Sequence, residues 1–356
     1  MRSGSARTPT SSSSTSGCRG LEPGLPSTVL SPPTGWRALS PHPSPTSGPQ
    51  PSRCGPARLM EELLDAARAG LDDPQAAMRL QRTLSSALAG SANADRALVG
   101  LVRLAQGASG GALLRRLTDD ARLAQVLATV FAGSEFLTEV LVAHPEFADF
   151  ASRPDRLAIR RRASEVAGAA HAATALLPTA ESKLDALRSF QRKELLRLGA
   201  CDLLGIWDLT AVTEQLSALA DAIIGETLDI VASARRESPR DLAVIALGKL
   251  GGYELNYSSD VDLVFVAAAA TDRALALAAD AVDALSRPTA EGRLYRVDLR
   301  LRPWGRCGPL VNGVEGYLAY LRRDARLWER QALLKARVVA GDRAVGEAFL
   351  QAARPL

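Results

Sequence analysis

Residues 247–266 read LGKLGGYELNYSSDVDLVFV, and the architecture of the second half of the chain follows from them. An apolar run, Leu242–Leu247, leads into the first glycine and is typical of a buried strand. Glycines predict a turn over residues 248–252, and the β-branched and aromatic residues of Val261–Val266 predict a second strand. This order predicts a small unit in which strands alternate with turns and helices.

Two aspartates, Asp260 and Asp262, open the second predicted strand. Side chains two residues apart on a strand point to the same face, here about 6.5 Å apart. Two carboxylates that face one space repel each other unless a cation lies between them, and Mg²⁺ prefers such oxygen ligands. The pair therefore predicts a magnesium site that recruits phosphates, although this pattern alone is weak because carboxylates are common at strand ends.

A third strand is predicted over Tyr295–Leu301, with the polar side chains of Arg296, Asp298, Arg300 and Arg302 on one face. If this strand adjoins the aspartate pair, three carboxylates can hold two metal ions and the arginines can bind phosphate oxygens. The alternative is an ordinary solvent-exposed face of a sheet. The interpretation as an active site therefore requires the two acidic strands to be neighbours.

The turn before the aspartates offers groups that bind phosphate. Gly251 and Gly252 let backbone N–H groups approach a ligand, and Lys249 adds a positive charge. The Walker spacing, Gly-x4-Gly-Lys-Ser/Thr, is absent. Phosphatases of the haloacid dehalogenase type and many sugar-nucleotide transferases place Asp-x-Asp after an apolar strand. Here the apolar strand follows the pair, which is the polarity found in nucleotidyltransferases.

The order resembles the polymerase-β-like nucleotidyltransferase superfamily, in which a hydrophobic residue and Gly-Gly/Ser precede Asp-hydrophobic-Asp and a third carboxylate. Lys249 departs from that pattern and marks one family, because residues 247–263 resemble the glutamine synthetase adenylyltransferases almost residue by residue. Three further segments are similar to the same family: Arg296–Pro303, Trp328–Arg337 and Arg192–Gly205. The resemblance covers residues 58–356.

The resemblance implies an α+β protein, in which an all-α helical domain is followed by a polymerase-β-like nucleotidyltransferase α/β domain. It implies two Mg²⁺ ions, and the catalytic and metal-binding residues would be Asp260, Asp262 and Asp298. The residues that would bind nucleotide and phosphate are Gly248, Lys249, Gly251, Gly252, Ser259, Arg300 and Arg302. Lys335 and Arg337 could reach the nucleotide from a last helix or lie at a solvent-exposed helix end, and Trp328 is expected in the core.

Family members carry two nucleotidyltransferase copies, and the sequence of residues 254–259 resembles that of the N-terminal copy. The resemblance then implies removal of AMP from an adenylylated tyrosine of glutamine synthetase by phosphorolysis, which releases ADP. Adenylylation from ATP, or an inert truncated regulatory fragment, are the alternatives. The implied partners are glutamine synthetase, the nucleotides ATP, ADP or AMP, phosphate and a PII signal protein. We expect a truncated chain, because the second copy is missing.

Four regions follow from composition and periodicity. Residues 1–57 hold 11 of the 20 prolines and a serine run, and they predict a disordered leader. A misassigned start or a non-functional leader is favoured over an organelle transit peptide. Residues 58–238 predict six to nine helices, of which the clearest spans Leu216–Val231 and is capped by Asp208 or Thr210. A nucleotidyltransferase core is predicted over 239–312 and helices over 313–356.

Composition excludes several classes of protein. The balance of 43 basic and 39 acidic residues, a net charge of +4, gives no argument for nucleic-acid binding. The longest apolar run, Leu263–Ala270, is far shorter than the ~20 residues of a membrane span. Four separated cysteines without a Cys-x-x-Cys spacing predict no disulfide framework or zinc site. We therefore expect a cytoplasmic protein.

Overall fold

The computed structural model describes residues 55–70, 74–107, 110–153 and 157–356. Almost all of the predicted leader lies outside these residues. The first described part is helical, with α1 (Pro56–Gly70), α2 (Pro74–Ala89), α3 (Ala94–Gln106), α4 (Gly110–Asp119), α5 (Ala121–Gly133), α6 (Glu135–Ala143), a 3₁₀ segment (Pro145–Ser152), α7 (Ala163–Thr174), α8 (Ala180–Leu203) and α9 (Leu209–Ala234).

Side-chain caps start several of these helices. Asp208 caps α9, since its carboxylate accepts a hydrogen bond from the backbone N–H of Ala211 at 2.8 Å. Of the two predicted caps, the structure thus uses Asp208. The apolar residues of 113–131 are divided between two helices, since Asp120 follows the end of α4 and caps α5 through the N–H of Leu123 at 2.8 Å.

The helices bury their apolar stripes in two separate cores. Side chains of α1 to α6 form the first core, which is centred on the fully buried Phe131 and also takes in Leu196 and Cys201 of α8. Helices α7, α8 and α9 contribute to a second core, which they share with one face of the sheet. Helices α8 and α9 therefore join the helical part to the strands.

The second part of the chain is a five-stranded mixed sheet with helices. It comprises β1 (Leu242–Ala246), α10 (Gly248–Gly251), β2 (Val261–Ala267), α11 (Asp272–Ser286), β3 (Val297–Asp298), a 3₁₀ turn (Gly305–Cys307), β4 (Val311–Gly313), α12 (Val314–Arg323), α13 (Leu327–Ala332), a second 3₁₀ turn (Leu333–Lys335), β5 (Arg337–Gly341) and α14 (Arg343–Ala353). The strand order is β3-β2-β1-β5, and β4 also pairs with β2.

Strand directions explain why β1 and β2 are so apolar. Strand β1 is antiparallel to both β2 and β5, whereas β2 is parallel to β3 and β4. Alternate residues of β2 enter different cores: Leu263 and Phe265 pack towards α9 and α11, while Val264 and Val266 pack towards α12 and α14. Burial on both faces accounts for the continuous apolar run that predicted these strands.

Two element predictions are wrong in detail. The helix predicted through Val338 gives way to β5, because Arg337–Gly341 pairs with β1 nearly one hundred residues earlier in the chain. The strand predicted over Tyr295–Leu301 shrinks to Val297–Asp298, since the backbone turns after Leu299 and the N–H of Arg302 donates to the Leu299 carbonyl. Within the predicted turn, residues 248–251 form a single turn of helix.

The predicted α+β class is confirmed, with a helical part that precedes a sheet-containing part. Within the described ranges, no helix combines the length and the apolar character that crossing a bilayer requires.

Candidate active site

The two acidic strands lie side by side. Strands β2 and β3 are parallel, and Asp262 is the register partner of Asp298. Neighbouring strands are about 4.8 Å apart, and paired residues share a face, so the two carboxylates stand next to each other. The backbone N–H of Val261 donates to the carbonyl of Arg296 at 2.9 Å, which extends the pairing toward Asp260. The sheet thus brings together the carboxylates that the sequence separates by 36 residues.

The carboxylates have different electrostatic surroundings. Burial raises the pKa of Asp262, and the negative charges of Asp298 and Asp260 raise it further. Arg300 does the opposite for Asp298: its Nε donates to Oδ2 at 2.8 Å, and its backbone N–H donates to Oδ1 at 2.8 Å. These hydrogen bonds keep the pKa of Asp298 below its ordinary value. Asp298 is therefore held ionised beside a partner that resists ionisation.

Asp260 is held by a second guanidinium. Arg296 Nε donates to Asp260 Oδ1 at 2.5 Å, and Arg296 Nη2 donates to the carbonyl of Ser258 at 2.8 Å. Asp260 and Asp298 are thus each paired with an arginine, while Asp262 forms no ion pair with any residue in the described part of the chain. Arg296 and Arg300 take the role of counter-ions at this acidic site.

The chemistry of the donors suits a hard divalent cation, because Asp260, Asp262 and Asp298 offer carboxylate oxygens from two adjacent strands. Burial and the charges of Asp298 and Asp260 raise the pKa of Asp262, so a cation beside it would favour its ionised form. With Arg296 on Asp260 and Arg300 on Asp298, the described residues contain no group of three acidic, histidine or cysteine side chains gathered closely enough to hold a metal ion. Metal binding would therefore require the arginines to share or release these carboxylates.

The glycine turn presses directly on the acidic pair. Gly248 has a φ of +57°, and a Cβ added there would lie 2.3 Å from Oδ2 of Asp262. Both the left-handed backbone and the lack of space restrict this position to glycine. The backbone N–H of Leu247 also donates to the carbonyl of Asp262 at 2.9 Å. Helix α10 therefore begins against the central carboxylate of the site.

Among the other predicted phosphate ligands, Lys249 and Ser259 contact each other next to Asp260, whereas the N–H groups of Gly251 and Gly252 donate to the carbonyls of Leu247 and Gly248. Lys249 Nζ donates to Ser259 Oγ at 3.3 Å, and Ser259 Oγ donates to Asn256 Oδ1 at 2.7 Å. The Lys249 charge also acts on Asp262, because it opposes the rise of that pKa. Asn256, which the sequence reasoning did not single out, thus orients Ser259. The signal available for it was its place inside the family-like stretch.

Arg302 takes a different place from the other polar residues of its predicted strand. Its guanidinium donates to three backbone carbonyls, those of Leu299, Gly308 and Arg306, at 3.1 to 3.3 Å. These bonds close the loop that follows β3. The structure therefore brings Arg300, but not Arg302, onto the carboxylates.

Lys335 and Arg337 hold the glycine turn from the outside. Arg337 forms a bidentate pair with Asp221 of α9 at 2.6 and 2.9 Å, and its Nη2 also donates to the Leu250 carbonyl at 2.8 Å. The same guanidinium lies 3.9 Å from the ring centre of Tyr253. Lys335 Nζ pairs with both carboxylate oxygens of Glu254 at 2.7 and 2.8 Å.

The contacts by which Lys335 and Arg337 hold the glycine turn were not foreseen from the sequence. Arg337 is largely buried, so it lies neither at a solvent-exposed helix end nor in the acidic site. Asp221 belongs to the helical part, 116 residues earlier in the chain, and no local pattern connects the two. The prediction that Trp328 lies in the core is wrong: it is 50% exposed on α13, and no residue of that helix is buried.

Comparison with known proteins finds a family and relatives that match most of this chain. The sequence profile described as Glutamate-ammonia ligase adenylyltransferase matches residues 124–352. A relative named bifunctional glutamine synthetase adenylyltransferase/adenylyl-removing enzyme, from Streptomyces avermitilis, is 36% identical over 333 residues, which cover 85% of this chain and 32% of the relative. An identically named relative from Chromobacterium violaceum is 37% identical over 269 residues, which cover 72% of this chain and 30% of the relative.

The chain thus spans about a third of the length of the curated relatives that it matches. Within that third lie the glycine turn, the aspartate pair and the third carboxylate, all inside the matched residues. On the extent of the match and the identity to these relatives, the chain belongs to the glutamate-ammonia ligase adenylyltransferase family.

Proposed function

We propose that this chain is a magnesium-dependent nucleotidyltransferase that removes AMP from an adenylylated tyrosine of glutamine synthetase. The second substrate is inorganic phosphate, and the product is ADP. The observation that carries the proposal is the pairing of Asp262 with Asp298 on adjacent parallel strands, beside Asp260. The names of the relatives support the choice of glutamine synthetase.

The reaction is an in-line displacement at the phosphorus of AMP. A bond forms between an oxygen of the incoming phosphate and that phosphorus, while the bond to the tyrosine oxygen breaks. The tyrosine oxygen takes up a proton and leaves as the free hydroxyl. Negative charge accumulates on the transferred group, so groups that supply positive charge at fixed positions lower the barrier.

The residues of this chain divide these tasks. Asp260, Asp262 and Asp298 would hold two Mg²⁺, which supply the positive charge that stabilises the entering and leaving oxygens. Lys249, next to Ser259, would bind a phosphate oxygen of the nucleotide. The backbone N–H groups of Gly251 and Gly252 donate to the carbonyls of Leu247 and Gly248, so they do not supply this contact. Arg300 would bind the incoming phosphate with the guanidinium N–H groups that Asp298 does not use.

The direct test is incubation of the full chain with adenylylated glutamine synthetase, Mg²⁺ and phosphate, with ADP as the measured product. The expected result is ADP formation that requires both phosphate and Mg²⁺ and that is abolished in Asp260→Asn and Asp298→Asn. The Arg302→Lys variant is a matched control, because Arg302 contacts loop carbonyls instead of the carboxylates. It should keep most of the activity.

Two other outcomes have defined meanings. Transfer of AMP from ATP to unmodified glutamine synthetase, without ADP formation in the first assay, would assign the opposite direction to this site. Absence of both reactions in a folded chain would instead favour an inert regulatory fragment. A PII signal protein stays a proposed partner on the family resemblance alone, and a cytoplasmic location follows from the proposed substrate.

A further inference from the structure

Five large apolar side chains around the candidate active site are exposed to solvent. Their exposed fractions run from 47% to 83%. We call them the apolar rim, which consists of Tyr253, Trp304, Leu327, Trp328 and Leu334. Exposed aromatic and leucine side chains in such a group are unusual on a surface that stays in contact with water.

The segments that carry the apolar rim are joined by direct contacts. The ring of Trp304 lies 4.6 Å from that of Tyr320, and the Tyr320 hydroxyl donates to Glu329, the neighbour of Trp328. At the other end, the Lys335 side chain lies so close to Gly252 that an added Cβ would be 2.8 Å from it. Leu334 and Tyr253 are the chain neighbours of these two residues. The segments that carry the rim are therefore neighbours in the fold.

The apolar rim borders the acidic site on two sides. Tyr253 follows the glycine turn whose first residue, Gly248, abuts Asp262. Trp304 lies in the loop after β3, six residues beyond Asp298, and Arg302 closes that loop through the carbonyls of Leu299 and Gly308. A molecule that contacts the rim would thus lie beside the carboxylates.

Among the described residues, four that are not glycine have a positive φ, and two of these four belong to the apolar rim. Tyr253 has a φ of +58° and Trp304 a φ of +57°. The left-handed region is a genuine outlier for bulky residues and costs of the order of 1–3 kcal/mol unless the surroundings enforce it. Within the fold, Tyr253 stacks on the Arg337 guanidinium at 3.9 Å and Trp304 packs against Tyr320 at 4.6 Å. The two side chains stay 47% and 52% exposed, which leaves their outer faces open to a partner surface.

Exposed basic residues lie close in sequence to members of the rim: Arg306, Arg322, Arg323 and Arg326. Between residues 322 and 326, Asp324 is the one acidic residue. Tryptophan, tyrosine and arginine are the residues enriched at energetically dominant positions of protein interfaces. The surface therefore matches a folded protein that offers apolar contacts with an acidic margin.

We propose that the apolar rim is the docking surface for the protein substrate, which meets it with an apolar patch bordered by acidic residues. This inference rests on the proposed function, because it assigns the substrate's folded surface to the rim and its modified tyrosine to the carboxylates. Docking outside the reaction centre explains how a protein, and not free AMP-tyrosine, would be selected.

The test compares a protein substrate with a small one. Adenylylated glutamine synthetase and a short peptide carrying the same adenylylated tyrosine are offered to the full chain and to the double variant Leu327→Ser/Trp328→Ser. We expect KM for the protein to rise at least ~10-fold and the rate with the peptide to stay within ~2-fold. Leu176→Ser is the matched control, since Leu176 is 97% exposed on the helical part. Equal losses with both substrates, or no loss with either, overturn the proposal.

A binding measurement separates this proposal from the proposed function. Glutamine synthetase is immobilised and titrated with the Asp260→Asn chain, with and without the rim substitutions, at two salt concentrations. Weaker binding of the rim variant supports docking even if no ADP is ever formed. ADP formation at the wild-type rate and KM by the rim variant overturns docking and leaves the proposed function intact. Arg322→Glu/Arg323→Glu should weaken binding at least ~10-fold, and more strongly at low salt.

Other occupants of the rim have their own readouts. Sedimentation velocity of the wild-type chain and the double variant reports self-association, and flotation with vesicles containing anionic lipid reports membrane binding. A dimer or vesicle complex that the rim substitutions abolish, together with an unchanged KM for glutamine synthetase, would overturn the proposal.

Discussion

Asp262 and Asp298 are register partners on the parallel strands β2 and β3, and they differ in how their charge is compensated. Arg300 clasps Asp298, whereas Asp262 is half-buried between two other carboxylates. Like charges at this spacing destabilise the folded chain until a cation binds. A site that costs stability in this way serves binding or chemistry and is not part of the scaffold.

The first prediction concerns Asp262→Asn. Activity should fall by at least about 100-fold, because even substitutions of residues that only hydrogen-bond to a metal ligand reduce activity by up to about that factor. Because the substitution removes repulsion from Asp298 and Asp260, the free energy of unfolding without metal should rise by up to about 1 kcal/mol. Denaturant titration of the purified chain measures this change.

The matched variant is Asp298→Asn, which leaves Arg300 without its carboxylate. It should lose activity equally but gain no stability. In addition, Mg²⁺ should raise the melting temperature of the wild-type chain and of neither variant. An Asp262→Asn chain that melts well below the wild type would show that this carboxylate is a structural group.

The second prediction concerns the Arg337–Asp221 pair. Arg337→Ala should destabilise the chain by about 3–5 kcal/mol, because it leaves a buried carboxylate and the Leu250 carbonyl without their donor. Arg337→Lys should recover only part of this loss, since lysine cannot form the bidentate pair and bond the carbonyl together. Urea titration of the three chains gives the comparison.

The pH dependence of this effect has a definite sign. Burial raises the pKa of Asp221, and Arg337 is the group that opposes this rise. A carboxyl with a raised pKa in the folded chain loses stability as the pH climbs from the unfolded-state pKa, about 3.9, through the folded-state pKa. Arg337→Ala should therefore cost more at pH 8 than at pH 5. Equal costs at both values would mean that Asp221 stays ionised without its partner.

The contrast between Asp262 and Arg337 shows what the sequence could predict. The local sequence was sufficient to predict β1 and β2, because each is a continuous apolar run. It also placed Asp260 and Asp262 on one face, since strand periodicity fixes where neighbouring side chains point. Strand β5 pairs with β1 across nearly a hundred residues, so the sequence around Arg337 carries no signal for it and resembled the end of a helix. Pairing at this distance depends on the assembled core.

The same reasoning explains Trp328. A tryptophan within a helical pattern is more often buried, so composition alone favoured the core. The actual helix, α13, has six residues, none of which is buried. The core in this part of the chain consists of side chains from other elements, among them Tyr317, Leu321 and Phe349. The shared face of Asp260 and Asp262 follows from the periodicity of a single strand. The exposure of Trp328 depends instead on how the surrounding helices pack.

The third prediction concerns the cysteines. Cys201 is fully buried in α8, its thiol donates to the Leu157 carbonyl, and burial raises its pKa to about 11. Cys307 is exposed in the loop that carries Trp304. A maleimide at pH 7 should modify Cys307 within minutes and leave Cys201 intact until the chain unfolds. Peptide mass spectrometry distinguishes them, and early labelling of Cys201 would mean that α8 opens locally.

The fourth prediction uses Gly248. Gly248→Ala places a methyl group 2.3 Å from a carboxylate oxygen of Asp262, on a backbone with positive φ. Either the carboxylate moves away or α10 shifts, and both changes disturb the spacing to Asp298. We expect activity to fall by at least about 100-fold, since displacements near 1 Å in an active site can have that effect. Stability should fall by about 1–2 kcal/mol, the cost of a left-handed alanine.

Gly225→Ala provides the control on the same chain. Gly225 lies inside α9 with nothing within 4 Å of an added Cβ, so alanine should stabilise that helix by up to about 1 kcal/mol and leave activity unchanged. The pair separates a general effect of adding a methyl group from a specific collision with Asp262. If Gly248→Ala retained full activity, the central carboxylate would tolerate displacement, and its assignment to the reaction centre would have to be abandoned.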